Sequence, residues 1–239
     1  MMIENPTQSG IQQEQTRKII AKKSWYGLDK ETGAFNWELS LERLSEALGL
    51  ESKKEAVRNV IEESFSPACL SQVEVIDPNT EEKIKRPLIE ILIEEGYSIT
   101  VWTEGDETWQ RRKMELVGLS DLEKKDKIKV ESSPANKLNT LRRILKEDNQ
   151  HSVRIVVDDK RRIIDSVAAM QNGYKNLLPF HFKLKDPQAD AAAFYHWLKG
   201  LRFSPNNVHL ILDFDGVIAD TDGVLFGPVV EKLTIAFTP

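Results

Sequence analysis

Short apolar runs alternate with stretches of helical spacing along most of this chain, and this alternation constrains the fold more than any other feature. Short runs rich in apolar residues lie at 98–102, 128–130, 153–157, 176–182 and 208–212, and that at 153–157 is mostly β-branched. Between them, apolar residues recur at intervals of three and four, the spacing of one face of an α-helix. Strands that alternate with helices at short intervals predict an α/β fold built on a doubly wound parallel sheet.

The first 75 residues differ from the rest, because helical spacing dominates there. Trp37, Leu41, Leu44 and Leu48 recur on one helical face, and Gly49 suits the end of that helix. Further helices are predicted in this region over 11–23 and from a cap at Ser52 to about residue 64, with a loop over 25–36. Beyond this region, a helix is also predicted over 80–95.

Composition and charge narrow the class of protein. The chain has 239 residues, of which 40% are hydrophobic and 30% charged, as in an ordinary globular protein. Its net charge of −5 offers no bulk attraction to nucleic acid or to an anionic membrane, so neither is an expected partner. The single cysteine, Cys69, excludes an intramolecular disulfide, and no apolar window reaches the length of a membrane span. With a polar start that does not read as a secretory signal, the expectation is a cytoplasmic protein.

Asp213 and Asp215 directly follow the last apolar run, in the string LILDFDGVIADT at 210–221. Two carboxylates at the end of a buried strand are costly unless a cation compensates their charge. Mg²⁺ prefers oxygen ligands, so magnesium is the natural candidate. The alternative is a strand followed by an Asp-Gly turn, but Asp220 and Thr221 extend the pattern beyond a turn.

Polar side chains also follow other predicted strands. Thr103 comes after 98–102, and Asp158 and Asp159 come after 153–157. Lys137 opens an amphipathic helix soon after Pro134. Ligands of open parallel sheets bind beyond the carboxyl ends of the strands, which favours a shared site. Alternatively, the threonine is a turn or helix cap, the lysine is solvated, and the acidic pair caps a helix.

These residues resemble four motifs of one family. DFDGVIADT resembles the first motif of the haloacid dehalogenase (HAD) superfamily, a DxDGxxxD string followed by Ser or Thr. Thr103, Lys137 and the pair Asp158-Asp159 resemble the second, third and fourth motifs, and the likeness covers about residues 80–226. The family order is first to fourth, whereas this chain begins with the second motif and ends with the first.

The order implies a circular permutation. The resemblance then implies a HAD-like, Rossmann-like core at 76–239, with 208–213 as its central strand, and a small helical cap region at 1–75. Two alternatives are a swapped dimer and a second, truncated domain. Permutation is preferred because no other DxD follows a strand in residues 1–100, and because a sheet without its central strand would expose two edges.

The resemblance implies a Mg²⁺-dependent phosphohydrolase that acts on a small phosphorylated metabolite through an aspartyl-phosphate. Asp213 would be the nucleophile, and Asp215 the general acid and later the general base. Thr103 and Lys137 would bind the phosphoryl oxygens.

Metal ligation is implied in the same way. Mg²⁺ would be held by Asp213, by the main-chain carbonyl of Asp215 and by Asp159, with Asp158 as nearby support. The alternative function is a catalytically silent HAD-like protein that binds a phosphorylated ligand or a protein partner. Both a monomer and a dimer stay open.

Aromatic residues and histidines receive structural interpretations. Trp102 and Trp109 flank the second motif, and packing in the core is preferred for them over lining a substrate pocket. The four histidines have no mutual spacing that suggests a zinc site, and His209 is expected to pack within a core strand.

Overall fold

The strands and helices follow one another as the alternating pattern predicts. The structure is a computed structural model that describes residues 8–22, 26–27, 35–77, 80–148, 151–183 and 187–237. Its strands are β1 (Gln72–Ile76), β2 (Lys83–Pro87), β3 (Ser98–Glu104), β4 (Ile128–Glu131), β5 (Val153–Asp158), β6 (Leu177–His181) and β7 (Val208–Leu212).

Helices connect these strands and also form the amino-terminal region. They are α1 (Gln8–Ala21), α2 (Trp37–Ala47), α3 (Lys54–Glu62), α4 (Leu88–Glu94), α5 (Glu107–Leu116), α6 (Ser120–Lys124), α7 (Pro134–Glu147), α8 (Arg161–Met170), α9 (Pro187–Gly200), α10 (Thr221–Val224) and α11 (Val230–Phe237). A π-helical turn, Leu225–Val229, joins the last two. Within the described ranges, no helix combines the length and apolar character needed to cross a membrane.

A five-stranded, all-parallel sheet lies at the centre of the fold, in the order β4-β3-β7-β5-β6. The last strand of the chain therefore occupies the middle of the sheet. Leu210 of β7 pairs with Ile99 on one side and Ile155 on the other. All five residues of β7 are buried, as expected for a strand covered by helices on both faces. The predicted α/β class and the central position of this strand are confirmed.

The helix predicted over 80–95 is wrong in its first half. Residues Lys83–Pro87 form β2, which pairs with β1 as an antiparallel hairpin, and α4 begins only at Leu88. The pairing of Ile84 with Val75 places both in one cross-strand pair, an interaction that local helical spacing cannot reveal. Pro87 ends the strand and fits the position before the first helical residue.

The predicted helix cap at Ser52 is also wrong. A 3₁₀ turn, Glu51–Lys53, precedes α3, and the capping position falls on Lys53 without a side-chain hydrogen bond. Most of the loop predicted over 25–36 lies outside the described residues. The boundary predicted between residues 75 and 76 falls inside β1, and the division into cap and core stays a prediction.

The amino-terminal helices pack on the sheet region through stacked aromatic rings. Trp37, the first residue of α2, stacks on Trp109 of α5 with ring centroids 3.9 Å apart and nearly parallel planes. The Trp37 amide also donates to Asp106 Oδ2 at 3.1 Å, and Phe65 meets Trp109 edge-on. The three aromatic side chains belong to the same buried hydrophobic cluster as core residues of the strands. The helices thus cover the region beside the carboxyl end of β3.

The segment that follows β7 is tied to the loop before β1. The Asp220 amide donates to the Cys69 carbonyl at 2.9 Å, and the Ser71 amide donates to Ile218 at 2.8 Å. The Ser71 hydroxyl donates to Val217 at 2.7 Å. Gly216 has a φ of 78°, in the left-handed region that favours glycine, and makes the tight turn after Asp215 possible. The Asp-Gly turn is therefore present, within a larger anchored loop.

A core substitution in β7 tests its central position. Leu210 is 0% exposed, so Leu210→Ala should lower the free energy of unfolding by about 2–5 kcal/mol. The substitution would leave a cavity in the core, and the neighbouring side chains would lose their packing contacts with Leu210. Urea unfolding followed by circular dichroism measures the change. The control Ile235→Ala removes a side chain that is 71% exposed and should change the stability by less than about 0.5 kcal/mol. Equal stability of the two variants would contradict a buried, central β7.

Candidate functional site

Three carboxylates converge where β5 and β7 end. Asp213 follows β7, and its amide donates to the Val157 carbonyl of β5 at 2.9 Å, which fixes it beside the end of that strand. Asp158 and Asp159 lie at the end of β5 itself. Each of these three aspartates offers an oxygen atom, and the three atoms lie within 4.8 Å of one another. We call Asp158, Asp159 and Asp213 the acidic trio.

A fully buried lysine joins two members of the acidic trio. Lys137 Nζ lies 2.7 Å from Asp158 Oδ2 and 2.8 Å from Asp213 Oδ2, and its side chain has no solvent exposure. Burial alone would lower the pKa of Lys137, but the charges of Asp213 and Asp158 outweigh it and raise the pKa. An ammonium group has three donors, so one remains for a ligand.

The indole ring of Trp102 packs against the Lys137 side chain. Its indole N–H donates to the Lys137 carbonyl at 2.8 Å, and Lys137 Nζ lies 4.5 Å from the centre of its ring. The side chain is completely buried, so the preferred core interpretation is confirmed for Trp102 and also for Trp109, which is 7% exposed. The tryptophan thereby holds the charged end of the lysine against the two carboxylates.

Asp213 is buried and accepts a hydrogen bond at each carboxylate oxygen. Its Oδ2 accepts from Lys137, and its Oδ1 accepts from the Phe214 amide at 2.8 Å. Burial, together with the Asp158 charge, raises the pKa of Asp213 to about 6 against the opposing effect of Lys137. At pH 7 the carboxylate is therefore mostly ionised.

Asp159 carries the open ligand position of the acidic trio. Its Oδ1 atom is buried and has no hydrogen-bond partner among the described residues. Burial, followed by the charges of Asp213 and Asp158, raises the pKa of Asp159 to about 7. An unpartnered buried carboxylate oxygen is costly, and a bound cation would remove that cost.

The donor set of the trio fits magnesium. Every donor atom is a carboxylate oxygen, which Mg²⁺ prefers to nitrogen or sulfur. Asp158 already uses both of its oxygens, one for Lys137 and one for the Lys160 amide at 2.7 Å. Asp213 likewise accepts at both oxygens, from Lys137 and from the Phe214 amide, so within the acidic trio it is Asp159 that carries an unpartnered oxygen for a metal.

Thr103 lies at the carboxyl end of β3, the strand beside β7. The residue is 1% exposed, and its hydroxyl has no hydrogen-bond partner in the part of the chain that the structure describes. Because buried hydroxyls are nearly always paired, this group is suited to a ligand atom that completes the site.

The Asp215 carboxylate contacts a separate set of donors. Lys113 Nζ and Thr221 Oγ1 each lie 2.5 Å from Asp215 Oδ1, and Gln110 Nε2 donates to Oδ2 at 2.8 Å. Burial would raise the pKa of Asp215, but the Lys113 ion pair and the two further hydrogen bonds lower it. The carboxylate is consequently ionised at neutral pH.

Lys113 and Gln110 are site residues that the sequence analysis missed. They lie three residues apart on α5 and so share a helical face. Lys113 follows Arg111 and Arg112, which pair with glutamates at the surface, whereas Lys113 itself is 2% exposed. The available signal was the shared face of Gln110 and Lys113 on the first helix after Thr103.

Two histidines that are distant in sequence meet far from this edge of the sheet. His151 and His209 both contact Asp148, as described below. His209 is nonetheless packed in β7 as expected. His181 lies beside the acidic trio, with Nε2 2.9 Å from the Asp159 carbonyl oxygen.

All residues predicted to form a site lie at the carboxyl edge of β3, β5 and β7 or on the first turn of α7. The structure joins Asp213, Asp158 and Lys137 by direct contacts and places Asp159 beside them, whereas the Asp215 side chain turns toward α5. No family model, curated protein or solved structure matches this chain. Any function of the site is therefore inferred from its own geometry and chemistry.

Replacement of the buried lysine by a neutral residue should lower the free energy of unfolding, because two buried carboxylates lose their shared cation. Lys137→Met leaves Asp158 and Asp213 without their shared cation and should cost about 3–5 kcal/mol of unfolding free energy at pH 7.5. The loss should shrink at pH 5, where Asp213, whose pKa is raised, takes up a proton. Urea unfolding at both pH values measures it. Lys124→Met, at an exposed ion pair with Asp121, is the control and should have no measurable effect. A Lys137→Met protein as stable as the control at pH 7.5 would refute this charge balance.

Asp159 should make stability depend on pH when metal is removed. Its pKa is about 7 in the folded chain and 3.8 ordinarily, so between these values the folded state binds more protons than the unfolded state. Its contribution to stability therefore falls as pH rises from about 4 to 7. In EDTA at pH 8, Asp159→Asn should be more stable than wild type by roughly 2–4 kcal/mol, and much less so at pH 5.

Urea unfolding of both proteins at the two pH values checks this expectation. Asp165→Asn, on the exposed surface of α8, is the control and should follow wild type. Addition of Mg²⁺ at pH 8 should stabilise wild type but not Asp159→Asn, because a ligand stabilises only the state that binds it. Identical pH dependence in all three proteins would contradict the assigned environment of Asp159.

Proposed function

We propose that this chain is a Mg²⁺-dependent phosphohydrolase that cleaves a small phosphomonoester through an aspartyl-phosphate on Asp213. One observation carries the proposal. The Asp213 carboxylate is buried between Lys137, which has a donor to spare, and the unpartnered oxygen of Asp159. This combines a nucleophile, a cation for the phosphoryl group and an open metal ligand in one place.

Substrate binding would use the groups that lack a partner. The third donor of Lys137 and the Thr103 hydroxyl would bind phosphoryl oxygens. Asp213, Asp159 and the main-chain carbonyl of Asp215 would hold Mg²⁺. When bound, the metal would offset the repulsion between a carboxylate nucleophile and the phosphate. Asp158 would keep Lys137 in position.

The covalent step would proceed by displacement at phosphorus. An Asp213 oxygen forms a bond to phosphorus while the bond to the alcohol oxygen of the substrate breaks, and that oxygen receives a proton from Asp215. Water then attacks the aspartyl-phosphate and gives a proton to Asp215. Phosphate leaves with the water oxygen, and the Asp213 carboxylate is restored.

Asp215 suits the hydrolysis of the aspartyl-phosphate, because it would act there as a general base, and a base must be ionised. Its acid role requires a proton that its lowered pKa disfavours. Lys113 Nζ, 2.5 Å from Asp215 Oδ1, stabilises the anion, so substrate binding would have to loosen this contact before Asp215 could take up a proton. Lys113 would thus act through Asp215.

Chain order is part of the proposal. We interpret the chain as a circularly permuted HAD-like protein whose first motif arrives last. The central position of β7, with Asp213 at its end, supports this interpretation, because the nucleophile then lies beside the carboxylates of β5 in the same chain. A cytoplasmic location and a phosphorylated metabolite as the substrate belong to the same proposal.

A second candidate is a silent protein that binds a phosphorylated ligand without turnover. The ion pair between Lys113 and Asp215 favours it, because three donors already satisfy the Asp215 carboxylate and hold it away from the acidic trio. Lys137 and Thr103 would still bind a phosphoryl group in such a protein.

Hydrolysis of p-nitrophenyl phosphate distinguishes the two candidates. Wild type should release nitrophenol with Mg²⁺ and lose this activity in EDTA. Asp213→Asn should lower kcat by at least about 10³-fold, because the nucleophile is lost. Asp165→Asn, whose carboxylate is exposed and paired with Arg161, should keep wild-type activity. Wild-type protein that is inert on a panel of phosphomonoesters, yet binds one of them by calorimetry, would refute the enzyme and support the silent protein.

A further inference from the structure

Two histidines and an aspartate meet at the amino-terminal edge of the sheet, where β5 and β7 begin. Asp148 is the residue after α7, and its Oδ1 lies 2.6 Å from His151 Nδ1. Its Oδ2 lies 2.9 Å from Nδ1 of His209, the second residue of β7. The three potential ligand atoms lie within 4.8 Å of one another.

We infer that Asp148, His151 and His209 form a second metal site, for a divalent transition metal ion such as Zn²⁺. Two imidazole nitrogens and one carboxylate are a ligand set that suits zinc, whereas Mg²⁺ is bound through oxygen. The site is separate from the acidic trio, since His209 and Asp213 stand at opposite ends of β7, about 13 Å apart at the usual rise per residue. The inference does not depend on the proposed function.

The position of the His209 ring supports this inference. Its Nε2 lies 2.9 Å from Thr100 Oγ1 on the neighbouring strand β3, so the second ring nitrogen already has a partner. Histidines that bind metals commonly use their other nitrogen for such a hydrogen bond, which fixes the orientation of the ring. Nδ1 is thereby directed toward Asp148, with the His151 ring centroid 5.1 Å from that of His209.

Positive charges around the site limit its affinity. Arg154 Nε lies 3.2 Å from Asp148 Oδ2, and a second guanidinium nitrogen donates to the Asp148 carbonyl oxygen. The carbonyl contact can persist when a metal takes the carboxylate, because it uses another atom of Asp148. Lys127 adds a further positive charge near His209. We therefore expect weaker binding than at zinc sites with four protein ligands.

A metal here would fasten the start of the last strand. Asp148 and His151 lie in the connection between α7 and β5, and His209 belongs to β7, so one ion would link that connection to a strand about 60 residues further along the chain. The side chain of His151 is 15% exposed, compared with 7% for His209, and gives the ion its approach from solvent. Binding should raise the unfolding temperature of the folded chain.

Zinc titration of the full chain tests the site. The background is Asp159→Asn, which removes the open ligand of the acidic trio. Calorimetry at pH 7.5 should show one Zn²⁺ per chain, with an accompanying rise in Tm. Adding His151→Gln should weaken zinc binding at least about 10-fold. Loss of a direct metal ligand should lower the affinity more than loss of a residue that only hydrogen-bonds to a ligand. Adding His196→Gln, an exposed residue of α9, is the matched control and should leave binding unchanged.

A second measurement uses a chain that keeps all four histidines, so its result does not depend on whether the His151→Gln protein folds. In ¹⁵N spectra of the histidine rings, Zn²⁺ should shift the Nδ1 signals of two residues, His151 and His209, and leave those of His181 and His196 in place. Absence of zinc binding, binding unaffected by His151→Gln, or shifts confined to His181 and His196 would each overturn the site. None of these results bears on phosphoester hydrolysis, which is assayed separately.

Discussion

The rest of this structure depends on Lys137, the buried cation shared by Asp158 and Asp213. One positive charge compensates two carboxylates from adjacent strands in a place without solvent, where ion pairs are weakly favourable only if geometry and hydrogen bonding are good. Trp102 below and the main-chain amides of Lys160 and Phe214 supply that geometry. Asp159 adds a third carboxylate that Lys137 does not reach. The resulting excess of negative charge is the physical reason to expect a divalent cation.

The last strand of the chain is held by polar contacts at both ends and by apolar packing between them. At its start, His209 contacts Asp148 and Thr100; just past its end, Asp213 contacts Lys137. Side chains alternate between the two faces of a strand, so a slip of one residue would break both sets of contacts at once. The apolar residues of β7 supply the burial energy, while the polar ends specify its register between β3 and β5.

Local periodicity was sufficient to predict the parallel α/β architecture, because β5 and α8 each show their own spacing. Strand ends were likewise informative for the carboxylates of β5 and β7, whereas Thr103 and Lys137 were selected through the resemblance to the family motifs. Features that depend on distant partners were not predictable. The strand β2 needs β1 as its partner, the burial of Lys113 is hidden in a run of three basic residues, and His151 meets His209 only through Asp148. The resemblance to a known family supplied the order of the motifs, which spacing alone does not contain.

Asp213 and Asp215 are two residues apart, yet the structure shifts their pKa values in opposite directions. Burial beside Asp158 raises the pKa of Asp213, although Lys137 opposes this, whereas Lys113 and two other donors lower that of Asp215. Neighbouring carboxyl groups with separated pKa values commonly have different chemical roles. In the proposed function, the Asp213 anion would attack beside the unpartnered oxygen of Asp159, while Asp215 is paired with Lys113. A substrate would then have to change the contact between Lys113 and Asp215 before Asp215 could donate a proton, which would make α5 part of the site.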